Sequence, residues 1–360
     1  MNLNRATRLY VGSKLSSAIV ETDSVSNFYA HTPLLISKII TGNRSLNKYG
    51  ADTLTISSNN TYTGKSYINS GTLILASDSN TLGSGPVYFS SGTTLKTATA
   101  TSLNNNIYLY SGSLTLEVTS GNLGIYGNLY GSGIITQSSA LSAPVRNVIF
   151  SGDNSNFSGT FFEDNNTQNR TSFNSPTAGS DSAIWRFDRN IAGGAAINLL
   201  NGGIINFGQI TGGGRTNGGG LRINTTGTTI KIGALNTNST FAGVIQQGNI
   251  NTSGSIIKTG NGTFTLSNLN TYNGKTTITG GALYIVNTGS FPINPSNKLS
   301  SALLTSTDSI TFTFGTAPII GESYRILSGI TTNTYTNITF VNGGGRTGSY
   351  NSLNSTLTIA

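Results

Sequence analysis

Apolar residues alternate with threonine, serine or asparagine in short runs along most of the chain. Thr53-Leu54-Thr55-Ile56 and Thr263-Phe264-Thr265-Leu266 are two of them, and Ile107, Leu109, Leu114, Leu116, Leu123, Ile125 and Leu129 recur on alternating positions between glycine-containing turns. A period of two puts every second side chain on one face, so each run predicts a short strand with one buried side. The turns between runs are too short for crossover helices. Strands that must bury a face without helices bury it against the next turn of a coil, and the expected fold is an all-β parallel β-solenoid.

The pattern repeats over a longer range. Lys258 to Ile285, KTGNGTFTLSNLNTYNGKTTITGGALYI, is a near-copy of Lys48 to Leu75, KYGADTLTISSNNTYTGKSYINSGTLIL, with 13 of 28 positions identical and no gap. Each copy holds a polar bend, Asn60-Thr61-Tyr62-Thr63-Gly64 or Asn270-Thr271-Tyr272-Asn273-Gly274. Weaker bends follow at Phe157-Ser158-Gly159 and Phe241-Ala242-Gly243. In all four an aromatic residue stands two places before a glycine. The expectation is that the ring closes the end of the core and the glycine takes a backbone angle that other residues resist. Ligand stacking on Tyr62, Phe157, Phe241 and Tyr272 is the rival reading.

The two copies resemble the passenger-associated transport repeat of bacterial autotransporters and related adhesins. Phe241-Ala242-Gly243-Val244-Ile245 and Gly254 to Gly260 extend the resemblance, and Gly348 to Ile359 is similar to the closing strands of such passengers. The resemblance implies a right-handed coil and a stalk or scaffold role. It points to no reactive site.

Composition narrows the chemistry. Only 9% of residues are charged, yet 36% are hydrophobic and arranged in alternation, so a core can form and disorder is not expected. The balance is +8, concentrated at Arg5, Arg8, Lys14, Lys38, Arg44 and Lys48. No basic run with interleaved aromatics accompanies it, so no nucleic-acid partner is expected. There is no cysteine, which excludes disulfides and thiolate metal sites, and the single histidine, His31, reads as a loop residue. No metal and no cofactor are expected. Gly64-Lys65-Ser66 and Gly274-Lys275-Thr276 mimic the tail of a phosphate-binding loop, but Asn59 and Leu269 stand where its first glycine is required. Gly343, Gly345 and Gly348 fit a dinucleotide spacing without the strand–helix–strand unit that gives it meaning.

From Glu163 to Asn190 the alternation breaks. This stretch carries Glu163, Asp164, Asp181 and Asp188, and the only tryptophan, Trp185, beside Arg186. It is the candidate ligand or glycan-contact region. Paired carboxylates near an aromatic platform would suit glycoside cleavage, whereas a loop with Trp185 packed beneath it and its acids paired to arginine is the simpler reading.

The expected organisation is an N-terminal attachment segment (1–32), a solenoid (33–290, with an excursion at 163–190) and a C-terminal β cap (291–360). No apolar run of signal-peptide or membrane-spanning length occurs. This favours a non-enzymatic virion protein, a phage or virus fibre or surface appendage. Its expected partners are other virion proteins through the N-terminal segment, a host-surface glycan or receptor, and further copies of itself in a trimer. The alternatives are a bacterial surface adhesin or autotransporter passenger, located at the cell surface, and a tailspike-like polysaccharide-degrading enzyme.

Overall fold

In a computed structural model of the chain, the described residues are 8–10, 14–15, 20–22, 26–78, 81–138, 146–164, 170–188, 197–199, 202–213, 220–248, 252, 254–268, 270, 272, 276–287, 309–314, 323–325, 338–341, 348–351 and 356–359. Apart from one 3₁₀ turn, Pro176–Ala178, every regular element among them is a strand. Outside one short antiparallel sheet near the C-terminus, strands next to each other in a sheet are separated in sequence by the rest of a coil, and their pairing is parallel. That is a β-solenoid. Contacts divide it into two units, residues 1–178 and 179–360.

In the first unit, one sheet stacks Arg8–Tyr10, Ser26–Tyr29, Leu46–Tyr49, Ser66–Ile68, Val87–Phe89, Ile107–Tyr108 and Leu129–Tyr130. A second begins with Lys14–Leu15 and Leu34–Ile36 and continues through Thr53–Ile56, Thr72–Leu75, Thr93–Thr97, Ser113–Val118, Ile134–Ser138 and Thr160–Glu163. A third opens at Thr101–Leu103 and adds Leu123–Ile125, Asn147–Phe150 and Arg170–Phe173. Val20–Thr22 and Ile40–Gly42 pair as a further short sheet, so the first coils carry three strands, those over residues 46–75 two, and those from Val87 onward three again.

Alternation becomes columns. In the second sheet Leu34, Leu54, Leu73, Leu95 and Leu116 face one another on successive coils and are buried. Each contributes about 2 kcal/mol of burial. The next two members of that column are Gln137 and Glu163, also buried, so the core turns polar there. On the outer face of the same strands Thr53, Thr72, Thr94, Thr115 and Thr136 form a threonine column.

The second unit, taken by itself, has the same kind of parallel ladder. Its long strand, Gly203–Gly212, pairs with Thr228–Ile232 along one half and meets Phe241 at its end. The parallel ladder runs on through Thr263–Leu266, Ala282–Asn287, Ser309–Phe314 and Ile338–Val341. Ser323–Arg325, Thr356–Ile359 and Gly348–Asn351 form an antiparallel sheet within the stretch expected to close the coil.

Three details of the ladder fall in segments that the sequence singles out. Residues before 33 carry strands that pair in register with the coils after them, Arg8–Tyr10 with Ser26–Tyr29 and Val20–Thr22 with Ile40–Gly42. Residues 163–190 hold ladder strands, Arg170–Phe173 and Ser180–Phe187, rather than a single lateral loop. A register shift between Ser180 and Ile184 breaks the strict alternation, which is why the sequence there reads as irregular. Thirdly, Gly64 has no left-handed backbone. A Cβ on it would lie 2.0 Å from the Arg44 carbonyl oxygen of the preceding coil, so close stacking requires the glycine.

Candidate functional site

The residues singled out in 163–190 are placed as follows. Glu163 is buried at the end of its strand, where its Oε2 lies 3.0 Å from Thr171 Oγ1. The same hydroxyl is 3.1 Å from Gln137 Oε1, and its one proton serves one acceptor at a time. Asp164 is partly covered, and its backbone N–H donates to the Gln137 carbonyl. Trp185 is fully buried, donates from Nε1 to the Ser180 carbonyl at 3.3 Å and meets Phe207 edge-on at 5.7 Å. It presents no ring face to solvent and is a core residue. Asp188 accepts from Arg186 Nε at 2.6 Å and pairs with its Nη2, while Asp181 is exposed beside Ser182. These are the contacts of packing and local pairing.

The bend aromatics are core as well. Tyr62, Phe157 and Phe241 are fully buried and Tyr272 nearly so. Tyr62 Oη lies 2.6 Å from Ser66 Oγ, and burial pushes its phenol well above the ordinary tyrosine range despite that contact. The preceding asparagine turns out to be the polar partner of the corner. Asn60 Oδ1 accepts the Ile40 N–H, and Asn270 Oδ1 accepts the Ile245 N–H, both at 2.7 Å. Asn154 does the same for Leu129 N–H at 2.9 Å. A backbone group turned inward at a corner thereby finds an acceptor on the next coil.

Both repeats also begin with a lysine buried among carbonyls. Lys48 Nζ donates to the Gly50 and Ser70 carbonyls at 2.9 and 2.7 Å, and Lys258 Nζ to those of Thr259, Gly260 and Gly280 at 2.7, 2.9 and 3.0 Å. Gly50 and Gly260 occupy equivalent places and both have positive φ, 82° and 71°. Desolvation holds the Lys48 ammonium down to about 8, and the nearby Asp52 charge works in the opposite direction.

What does reach solvent is a line of tyrosines. Tyr67, Tyr88, Tyr108 and Tyr130 are register partners on the outer face of the first sheet. Each alternates with an inward neighbour, so the strand period that buries Val87, Ile107 and Leu129 turns these rings outward. Successive ring centroids are 5.0, 4.8 and 4.6 Å apart and the rings stack at 21°, 15° and 9°. Tyr110, 64% exposed, stands beside the row, tilted 33° to Tyr88 and 41° to Tyr108. Lys65 Nζ lies 5.5 Å from the Tyr88 centroid. Partial desolvation, then the neighbouring phenols, raise the Tyr108 pKa, with Lys65 opposing them. Asn128 Nδ2 donates to Tyr130 Oη at 3.3 Å. Toward the N-terminus the column is continued by Asn47, whose Nδ2 donates to Asn27 Oδ1 at 2.8 Å. Period-two alternation placed each tyrosine outward in principle, but only the coil length lines them up.

In the second unit an open groove of about 540 Å³ is lined by Gln209, Thr211, Asn238, Ser239, Thr240, Thr263 and Thr265, all uncharged. Among the described residues no three His, Cys, Asp or Glu side chains gather as a metal site. No helix there is long and apolar enough to cross a membrane.

No curated protein and no solved structure matches the chain. The family model of the passenger-associated transport repeat matches residues 46–75 and 256–285, the two segments that carry the buried lysine, the corner asparagine and the buried tyrosine. In these two stretches, then, the chain is similar to the repeat associated with the passenger domains of bacterial autotransporters.

Proposed function

We propose that this chain is a non-enzymatic surface adhesin of the autotransporter-passenger type, a β-solenoid that holds binding groups on its outer faces outside a bacterial cell. The observation that carries the reading is the pair of passenger-repeat matches on coils with the same internal bonding. The outer columns of threonine, asparagine and tyrosine support it, since many modest contacts on a rigid scaffold add up through multivalency. A virion appendage draws no comparable support from either the repeats or the fold. The expectation of such a role came from chain ends, which say nothing of where the protein acts. Adhesion rather than cleavage fits the carboxylates of 163–188, of which Glu163 is buried against Thr171 and Asp188 is paired with Arg186.

Antibody labelling of the intact producing culture tests this. Gold particles are expected on bacterial surfaces, with loss of the signal after protease treatment of whole cells. Gold confined to virus particles would overturn the proposal in favour of the appendage.

A further inference from the structure

The coils bury inward columns of leucine and isoleucine, and four tyrosines stack in line on the outside of the same coils. Because Tyr67, Tyr88, Tyr108 and Tyr130 stack on one another, their faces are mutually covered and the row turns ring edges and phenol hydroxyls outward, one per coil. Tyr110 differs. It is 64% exposed and tilted against its two neighbours, which leaves a ring face open. Lys65 adds a cation at the edge of the row. The positions two residues before and after each ladder tyrosine carry lysine, proline, asparagine, serine or Tyr110, and none carries a carboxylate.

From this geometry we propose that the ladder is a docking strip for an extended polysaccharide lying along the stack of coils. Tyr110 receives the C–H face of a sugar ring. The phenol hydroxyls, one per coil, hydrogen-bond its hydroxyl groups, helped by the amides of Asn69, Asn106 and Asn128 on three of the four coils. The absence of carboxylates and the presence of Lys65 make the strip equally open to neutral and acidic sugars. A protein partner fits less well. A stable protein interface buries about 800 Å² on each side around a desolvated apolar centre, and the apolar part of this strip is a single ring wide with polar columns on both sides. The inference rests on the adhesin reading for its biological setting, although the geometry stands without it.

Affinity electrophoresis of the full chain through gels containing hydroxyethylcellulose, dextran, mannan or polygalacturonate provides the test. At least one polysaccharide is expected to retard the wild type. Tyr108→Ser and Tyr110→Ser are expected to weaken that binding about tenfold, the loss typical of a central contact residue. Tyr110 lies outside the stacked column, so Tyr110→Ser keeps the wild-type melting temperature and separates a binding defect from a folding defect. Retardation by none of the four, or equal retardation of wild type and both variants, would sink the strip. A dimer in sedimentation that Tyr110→Ser dissolves would also sink it, by assigning the ladder to a second copy of the chain. A chain that labels cell surfaces yet ignores every polysaccharide keeps the adhesin reading and loses only the strip. A chain missing from cell surfaces loses the adhesin reading whatever the gels show.

Discussion

Lys48 shows how one residue can organise a coil. Its ammonium sits in the core end of the coil and donates to two carbonyls, one on its own coil and one on the next. A buried charge is tolerable only when it is hydrogen-bonded, and here two backbone oxygens accept from it. The cost remains visible as a pKa of about 8 against an ordinary 10.5. Between those two values the unfolded chain binds a proton that the folded chain has released, so stability rises with pH through that window. Wild type is therefore expected to gain on Lys48→Met in melting temperature as pH rises from 8 to 10.5. Comparing the two proteins cancels the titration of the tyrosines, and a flat difference would contradict the burial cost assigned to Lys48. The sequence showed that Lys48 and Lys258 are equivalent, but it could not show that they are buried, because lysine in a polar repeat reads as solvated charge.

At the scale of the strand and its turn, the deciding quantity is the approach of one coil to the next. Gly64 and Gly85 stand on successive corners, and a Cβ on Gly85 would lie 2.1 Å from the Gly64 carbonyl oxygen. Gly92 instead has φ of 76° with no atom within 4 Å of its missing Cβ. The two kinds of glycine predict different costs. Gly92→Ala is expected to lose about 1 kcal/mol through backbone strain alone, and Gly64→Ala about 3 kcal/mol, because the coil above must lift. Urea midpoints of the two variants check the order, and equal losses would show that corner stacking is softer than the geometry requires. At the same scale the tyrosine ladder adds cross-strand stacking worth up to about 1 kcal/mol per pair. The half-buried surface pair Lys96–Glu117, 2.7 Å apart on neighbouring coils, adds less than about 1 kcal/mol.

For the molecule as a whole, each coil touches only its neighbours, so stability is nearly a sum of local terms. Damage should accordingly stay local. Lys258→Met removes donors to Thr259, Gly260 and Gly280, and hydrogen exchange is expected to quicken in residues 254–287 while residues 87–138 keep their wild-type protection. Exchange that quickens everywhere would instead show one cooperative unit.

Residue alternation by itself determined the fold class, because a period of two in short runs with no helical segment leaves the coil as the way to bury every inward face. The near-identity of Lys48–Leu75 and Lys258–Ile285 determined the family resemblance, and the burial of Tyr62 and Tyr272 followed from their place at the bends. What only the tertiary structure decided is which distant residues become neighbours. Tyr67, Tyr88, Tyr108 and Tyr130 are separated by 20 to 22 positions, and a difference of one residue in any coil would turn its tyrosine off the line or into the core. Coil length is set by corners whose geometry depends on the coil beneath, which no local pattern encodes. Trp185 is the converse case: the sequence left it open between a surface platform and a ring packed inside, and only the fold shows it buried, in a strand whose register shifts between Ser180 and Ile184.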